Sequence, residues 1–177
     1  MVQLRELARR LRNRLDTPEG AARRAGCVIG NDVRLYSRIE NNEPWLVEIG
    51  DRVTVSSGVR FVTHDGSGWL CRDEEGRRYR IARIRIGSDV FIGLGTILMP
   101  GVSIGNQCIV GSGSVVTRSV PDGYVVAGNP ARKIGTFADF MTKAESWPSA
   151  ADLTAGGKTR REQVDSITEL DFRPPVA

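Results

Sequence analysis

The sequence predicts an all-β solenoid, a parallel β-helix of about four short coils. Three observations carry this. First, Ile86 to Pro121 reads IGSDVF-IGLGTI-LMPGVS-IGNQCI-VGSGSV-VTRSVP, with an aliphatic residue every six positions at Ile86, Ile92, Leu98, Ile104, Val110 and Val116. A period of six fits neither an α-helix nor a flat strand, and short repeats of this kind build solenoids. Second, the same phase recurs at Ile49, Val55 and Phe61, and earlier at Ile29 and Leu35. Third, the fifth hexad position is small or branched throughout: Val33, Val53, Val59, Val90, Thr96, Val102, Cys108, Ser114 and Val120. Positions one and five then point inward, and three hexads close one triangular coil. At the usual strand spacing of about 4.8 Å, four coils give a prism roughly 20 Å tall.

The elements follow in chain order. Residues 1–20 are expected to form a capping helix, because Leu4, Leu7, Leu11 and Leu15 recur at helical spacing. An open solenoid end exposes unpaired strand groups, which such a helix covers. The β-helix domain is expected over residues 21–135. Gly at the second hexad position (30, 50, 87, 93, 105, 111) relieves a corner where a Cβ would crowd the turn. Asn31, Asp51, Ser88 and Asn106 follow as residues that tolerate tight turns. The phase breaks twice. Two extra residues lie between Leu35 and Ile49, around ENNEPW, and a long insertion over about 65–84 holds SGWLCRDEEGRRYR. Insertions into a strict repeat project as loops and often carry the site. Residues 136–177 read as a short helix over TFADFMTKAES, then a polar, loosely packed tail.

Composition bounds the function. The chain has 177 residues, a net charge of +4 and no apolar run of membrane-spanning length. The basic start lacks the apolar stretch of a signal peptide. The arginines are scattered without a nucleic-acid motif, so the basic surface favours anionic small molecules over nucleic acid or membrane. Three cysteines without metal spacing or a secretory signal fit the cytoplasm.

His64 is the sole histidine. It follows Phe61-Val62-Thr63 where the regular coil ends and the long insertion begins. Imidazole is the side chain best suited to accept a proton near neutral pH, so His64 is the candidate general base. Its sequence neighbour Asp65 points to the opposite face of a strand and is not assigned as its orienting partner.

The hexads 86–120, the FVTHDG segment and the closing VPDGYVVAGNPARKI together resemble the hexapeptide-repeat, left-handed parallel β-helix acyltransferases. The likeness is strongest to maltose, galactoside and polysaccharide-sugar O-acetyltransferases, and it covers roughly residues 20–135. It implies the handedness of the coil, an exception to the usual right-handed crossover. It implies acetyl-CoA as cosubstrate and an O-acetyltransferase in which His64 lets a sugar hydroxyl attack the thioester directly. Acceptance by an amine is the alternative, and a non-catalytic scaffold is a third reading. The resemblance places Leu94 and Ser112 along the pantetheine arm, Thr117 and Arg118 near the nucleotide, and Arg132 with Lys133 at the CoA phosphates. It also implies a homotrimer with sites between neighbouring prisms. No metal is expected, since one histidine cannot build the three-histidine centre of hexapeptide-repeat carbonic anhydrases. Asn41, Asn42, Glu43, Trp45 and Trp69, in the two insertions, are candidates for holding the acceptor sugar. They can equally anchor their loops on the prism.

Overall fold

The computed structural model describes residues 17–168. Two-residue strands alternate with turns and stack into three parallel sheets. One sheet runs β1 (Val28–Ile29), β3 (Val47–Ile49), β10 (Ile84–Ile86) and β13 (Ser103–Ile104). The second runs β2 (Arg34–Leu35), β4 (Thr54–Val55), β11 (Phe91–Ile92), β14 (Ile109–Val110) and β16 (Tyr124–Ala127), and β17 (Arg132–Thr136) returns antiparallel to its end. The third holds β5 (Arg60–Phe61), β12 (Ile97–Leu98) and β15 (Val115–Val116).

The registers stack the first hexad positions in columns. Ile29, Ile49, Ile86 and Ile104 are partners in turn. So are Leu35, Val55, Ile92 and Val110, and likewise Phe61, Leu98 and Val116. All of these are buried. The fifth positions are buried too, from Val53 to Val120, with Val33 only partly so. The inward polar members are satisfied locally. Thr96 and Ser114 donate to the Gly111 carbonyl, at 3.3 and 2.6 Å. The Cys108 thiol contacts the Pro121 carbonyl at 3.1 Å, and burial pushes its pKa up.

The corners differ in two ways from the sequence reading. The left-handed backbone falls at the fourth hexad position, as at Asp32, Arg52, Asp89 and Gln107, with φ between 52 and 59°. The second-position glycines answer a different need, the close approach of the next coil. A Cβ on Gly93 would lie 2.5 Å from the Ser112 nitrogen. The third-position residues also do more than turn. The Asn31 N–H donates to Asp51 Oδ1 (2.7 Å), Asp51 N–H to Ser88 Oγ (3.0 Å), and Ser88 N–H to Asn106 Oδ1 (2.8 Å). Asn106 N–H donates to Asp122 Oδ1 (2.8 Å) and closes the ladder. Each side chain thus satisfies a corner amide that no strand reaches.

Leu4, Leu7, Leu11 and Leu15 lie outside the described residues. A helix over Pro18–Arg24 is entered from Thr17 and buries Ala22. Glu19 Oε1 accepts from the Leu35 N–H at 2.6 Å, and Arg23 donates to the carbonyls of Ile29 and Gly30, both at 2.6 Å. Backbone groups at the open end of the first coil are thereby paired.

The long insertion is a folded excursion. β6 (His64–Asp65) pairs antiparallel with β9 (Arg80–Ile81), and β7 (Arg72–Asp73) with β8 (Gly76–Arg77). Its exit precedes Ile84, which is fully buried in β10. Arg78 pairs with Asp73 and Glu75 inside the excursion.

Helix Phe137–Ala144 follows the last strand. A second compact unit begins at Phe140. Within it, Phe140 and Trp147 meet edge to face with centroids 5.6 Å apart. The segment read as a loose tail forms two helices, Ala150–Ala155 and Arg160–Ile167. Each opens on a capping box, Ser149 with Asp152 and Thr159 with Glu162, which is a start signal legible in sequence.

Candidate active site

His64 sits three residues past Phe61, the end of β5, where the chain swings from the prism into the excursion. Its backbone is fixed from both sides. The Ala82 N–H donates to the Thr63 carbonyl at 2.8 Å, and His64 is paired with Ile81. Thr63 is buried, whereas the His64 side chain is 41 % exposed.

The first insertion supplies its partner. Glu43 precedes the short turn Pro44–Leu46, and its carboxylate makes no capping bond there. Instead, Oε2 accepts from Thr63 Oγ1 at 2.7 Å and lies 3.0 Å from His64 Nδ1. The hydrogen bond from Thr63, then that from His64, holds the Glu43 carboxyl below its ordinary value. An ionised carboxylate only accepts, so Nδ1 carries a proton toward it, and in the neutral imidazole the lone pair is then on Nε2. Asp65 is occupied elsewhere, accepting the Ser67 N–H at 2.9 Å.

His64 lines a cavity of about 300 Å³ with Glu40, Asn41, Asn42, Arg60 and Phe61. Of the five acceptor candidates, Asn41 and Asn42 are therefore beside the base. Asn41 Nδ2 donates to the Phe61 carbonyl at 3.4 Å. Glu43 is committed to Thr63 and His64, so its place is behind the imidazole. Trp45 is exposed and is not among the residues lining that cavity. Trp69 lies on the excursion with the Arg72 guanidinium 3.9 Å from its ring centre, so one face already stacks within the hairpin.

The residues expected to meet CoA fall into two groups. Leu94 and Ser112 lie at successive levels of one corner, linked by the Gly113 N–H to the Leu94 carbonyl at 2.7 Å. The side-chain ladder of the opposite corner is missing here, and among the described residues neither amide finds an acceptor. Arg118, Arg132 and Lys133 line one cavity of about 190 Å³ where the chain leaves the repeat. Thr117 is exposed next to Arg118. The Lys133 ammonium lies 4.0 Å from the Tyr124 ring centre, and Arg132 keeps one bond to the Ala131 carbonyl at 2.9 Å. Three cations around one cavity fit a polyanionic ligand, and the open amides of the Leu94 and Ser112 corner fit an amide-bearing arm.

Residues 83–118 match the bacterial transferase hexapeptide family (six repeats). Protein CapG of Staphylococcus aureus is 43 % identical over 128 residues, which is 71 % of this chain and 74 % of that one. The chain belongs to the hexapeptide-repeat acetyltransferase family. Galactoside O-acetyltransferase of Escherichia coli K12 is 35 % identical over 97 residues, 55 % of this chain, so the match spans about half (47 %) of that enzyme. A hexapeptide-repeat-containing acetyltransferase from Vibrio cholerae superposes with a TM-score of 0.54 at 28 % identity, covering 63 % of each chain. Its acetyl-CoA complex gives 0.50 at 27 % identity, over 63 % of this chain and 61 % of that one. Among the described residues, no helix is long and apolar enough to cross a membrane.

Proposed function

We propose that this chain transfers an acetyl group from acetyl-CoA to a hydroxyl of a sugar or glycan precursor, with His64 as general base. The observation that carries the reading is the His64 imidazole, held on Glu43 through Nδ1 at the wall of a polar cavity. Likeness to a galactoside O-acetyltransferase supports a sugar hydroxyl as acceptor. Acetyl-CoA supplies an acyl carbon already activated as a thioester. Arg118, Arg132 and Lys133 would hold its phosphates, and the open amides of Leu94 and Ser112 its pantetheine arm.

His64 Nε2 takes the proton of the acceptor hydroxyl as the oxygen attacks. The imidazolium so formed faces the Glu43 carboxylate, which is fixed by Thr63 and already charged. His64 then returns that proton to the departing sulfur, so the enzyme ends as it began. No acyl-enzyme is formed, and no metal is needed. Acceptor hydroxyls bind beside Asn41 and Asn42.

Site and donor groove are proposed to meet between neighbouring prisms of a homotrimer, as closed cyclic symmetry allows. Free thiols at Cys27, Cys71 and Cys108 fit a cytoplasmic setting. An acceptor screen read by release of free CoA thiol tests the reading. Turnover with sugars and none with amines is expected. Sugars left unmodified while an amine is acetylated would overturn it.

A further inference from the structure

The cavity beside His64 does not end there. A second cavity, about 200 Å³, adjoins it and shares Glu40, Arg60 and Phe61. Its far end is lined by Ser37, Arg38 and Gly58. The topology explains the groove. The first coil contributes β1 and β2 to two sheets but no strand to the third, because the chain over 36–46 loops out instead. Strand β5 is left as an open edge, and the groove runs along it. Arg60 and Val62 direct their N–H groups to the carbonyls of Thr96, just before β12, and Leu98 on it. Phe61 lies between them in the strand, so its backbone faces the groove, where Asn41 takes up its carbonyl.

Two unsatisfied groups stand in this groove. Asn41 Oδ1 is buried without a hydrogen-bond partner, and a ligand hydroxyl is the donor type it lacks. Arg60 lines both cavities, and among the described residues no carboxylate pairs with it. Its registered neighbours on the sheet are Ile97 and then Val115, which carry no charge to neutralise it. Glu40 is the one acid lining the groove, against Arg60 and Arg38.

We infer that this groove is an extended acceptor subsite in which Arg60 reads an acidic group, a carboxylate or a phosphate, on the sugar that His64 deprotonates elsewhere. A planar guanidinium fork matches both anions. The inference rests on the sugar-acceptor reading above and names the substrate class within it.

Equilibrium binding to the full chain tests it, with galacturonate, galactose 1-phosphate, galactose and galactosamine as probes. At least one acidic sugar should bind roughly 10- to 100-fold more tightly than galactose, as a charge-assisted contact gives. The phosphate and uronate arms show which anion fits. In Arg60→Gln the preference should collapse to within about twofold, and Arg60→Lys should retain part of it. The Arg60 side chain points outward, so both variants should keep the wild-type melting curve. Equal binding of galactose and both acids, tightest binding of galactosamine, or a preference that survives Arg60→Gln would each overturn the inference. Thiol release with neutral sugars alongside any of those results leaves the transferase reading standing. Acid-sugar binding through Arg60 without thiol release for any sugar would instead remove the transferase reading.

Discussion

Glu43→Gln separates the charge behind His64 from the geometry it enforces. Glutamine keeps an oxygen that can accept from both Thr63 Oγ1 and His64 Nδ1, which now lie 2.7 and 3.0 Å from Glu43 Oε2. What is lost is the negative charge facing the imidazolium. Losing the base outright costs about 10²–10⁴-fold, and a hydrogen bond to a charged group is about twice as strong as a neutral one. The His64 side chain is 41 % exposed, so water screens part of that charge. Turnover in Glu43→Gln should therefore fall by roughly tenfold, and in Glu43→Ala by on the order of 100-fold, since alanine also frees the ring to rotate. The assay is thiol release at saturating acetyl-CoA. The loss should appear in kcat, with KM for acetyl-CoA unmoved, because Glu43 acts through the imidazole and does not line the donor cavity. The alanine variant should also melt lower, having left the buried Thr63 hydroxyl without its acceptor. In a His64→Ala background, Glu43→Ala should cost little more, because it acts through the imidazole. Wild-type kcat in Glu43→Gln, or full additivity in the double variant, would refute the pairing.

The remaining predictions concern the donor, the excursion and acid stability. Arg132→Ala should raise KM for acetyl-CoA by about tenfold, the effect of losing one charge-assisted contact. Dephospho-CoA shows whether the contact is to the 3′-phosphate, and an unchanged KM would make Arg132 a solvated cation only. Replacing residues 67–80 with a short Gly/Ser linker should raise the acceptor KM while the prism keeps its melting temperature, because Ile84 onward belongs to the core. Loss of CoA binding first would assign the excursion to the donor instead. Glu48 takes hydrogen bonds from Arg85 (2.7 Å) and Arg83 (2.5 Å), and the Arg85 bond above all lowers its pKa. A folded value below the unfolded one stabilises above the unfolded value and is lost as pH falls through the folded one. Glu48→Gln should thus lower the melting temperature near neutrality and match the wild type well below the carboxylate range.

The hexad phase was enough to pick out the inward columns, because a period of six with three faces places each residue without reference to distant chain. Ile29, Ile49, Ile86 and Ile104 could be aligned because each opens an Ile-Gly hexad, although two insertions interrupt the count. Ladders between coils were not legible in that way. Asn31, Asp51, Ser88 and Asn106 read as turn formers, and only the stacked structure shows Asp51, Ser88 and Asn106 each accepting the corner amide of the preceding coil. His64 was visible as the single histidine at the end of the repeat, whereas its partner was not. Glu43 stands 21 positions earlier in a different insertion, and no local pattern links the two. Its expected role was therefore on the sugar side. Trp69 offers a broad face in the sequence, but the Arg72 guanidinium stacks on it within the hairpin. In the sequence Arg60 is one outward hexad residue among many, and its setting depends on a strand that the first coil lacks. The helices at Ala150–Ala155 and Arg160–Ile167 were within reach, since their capping boxes are written in the sequence.

The central claim is that His64 is the base for direct transfer from acetyl-CoA. Its most direct test is the turnover of purified, folded His64→Ala with an accepted sugar, at saturating acetyl-CoA. The account predicts a fall in kcat of roughly 10²–10⁴-fold with acetyl-CoA binding retained. A folded variant that turns over at the wild-type rate would contradict it.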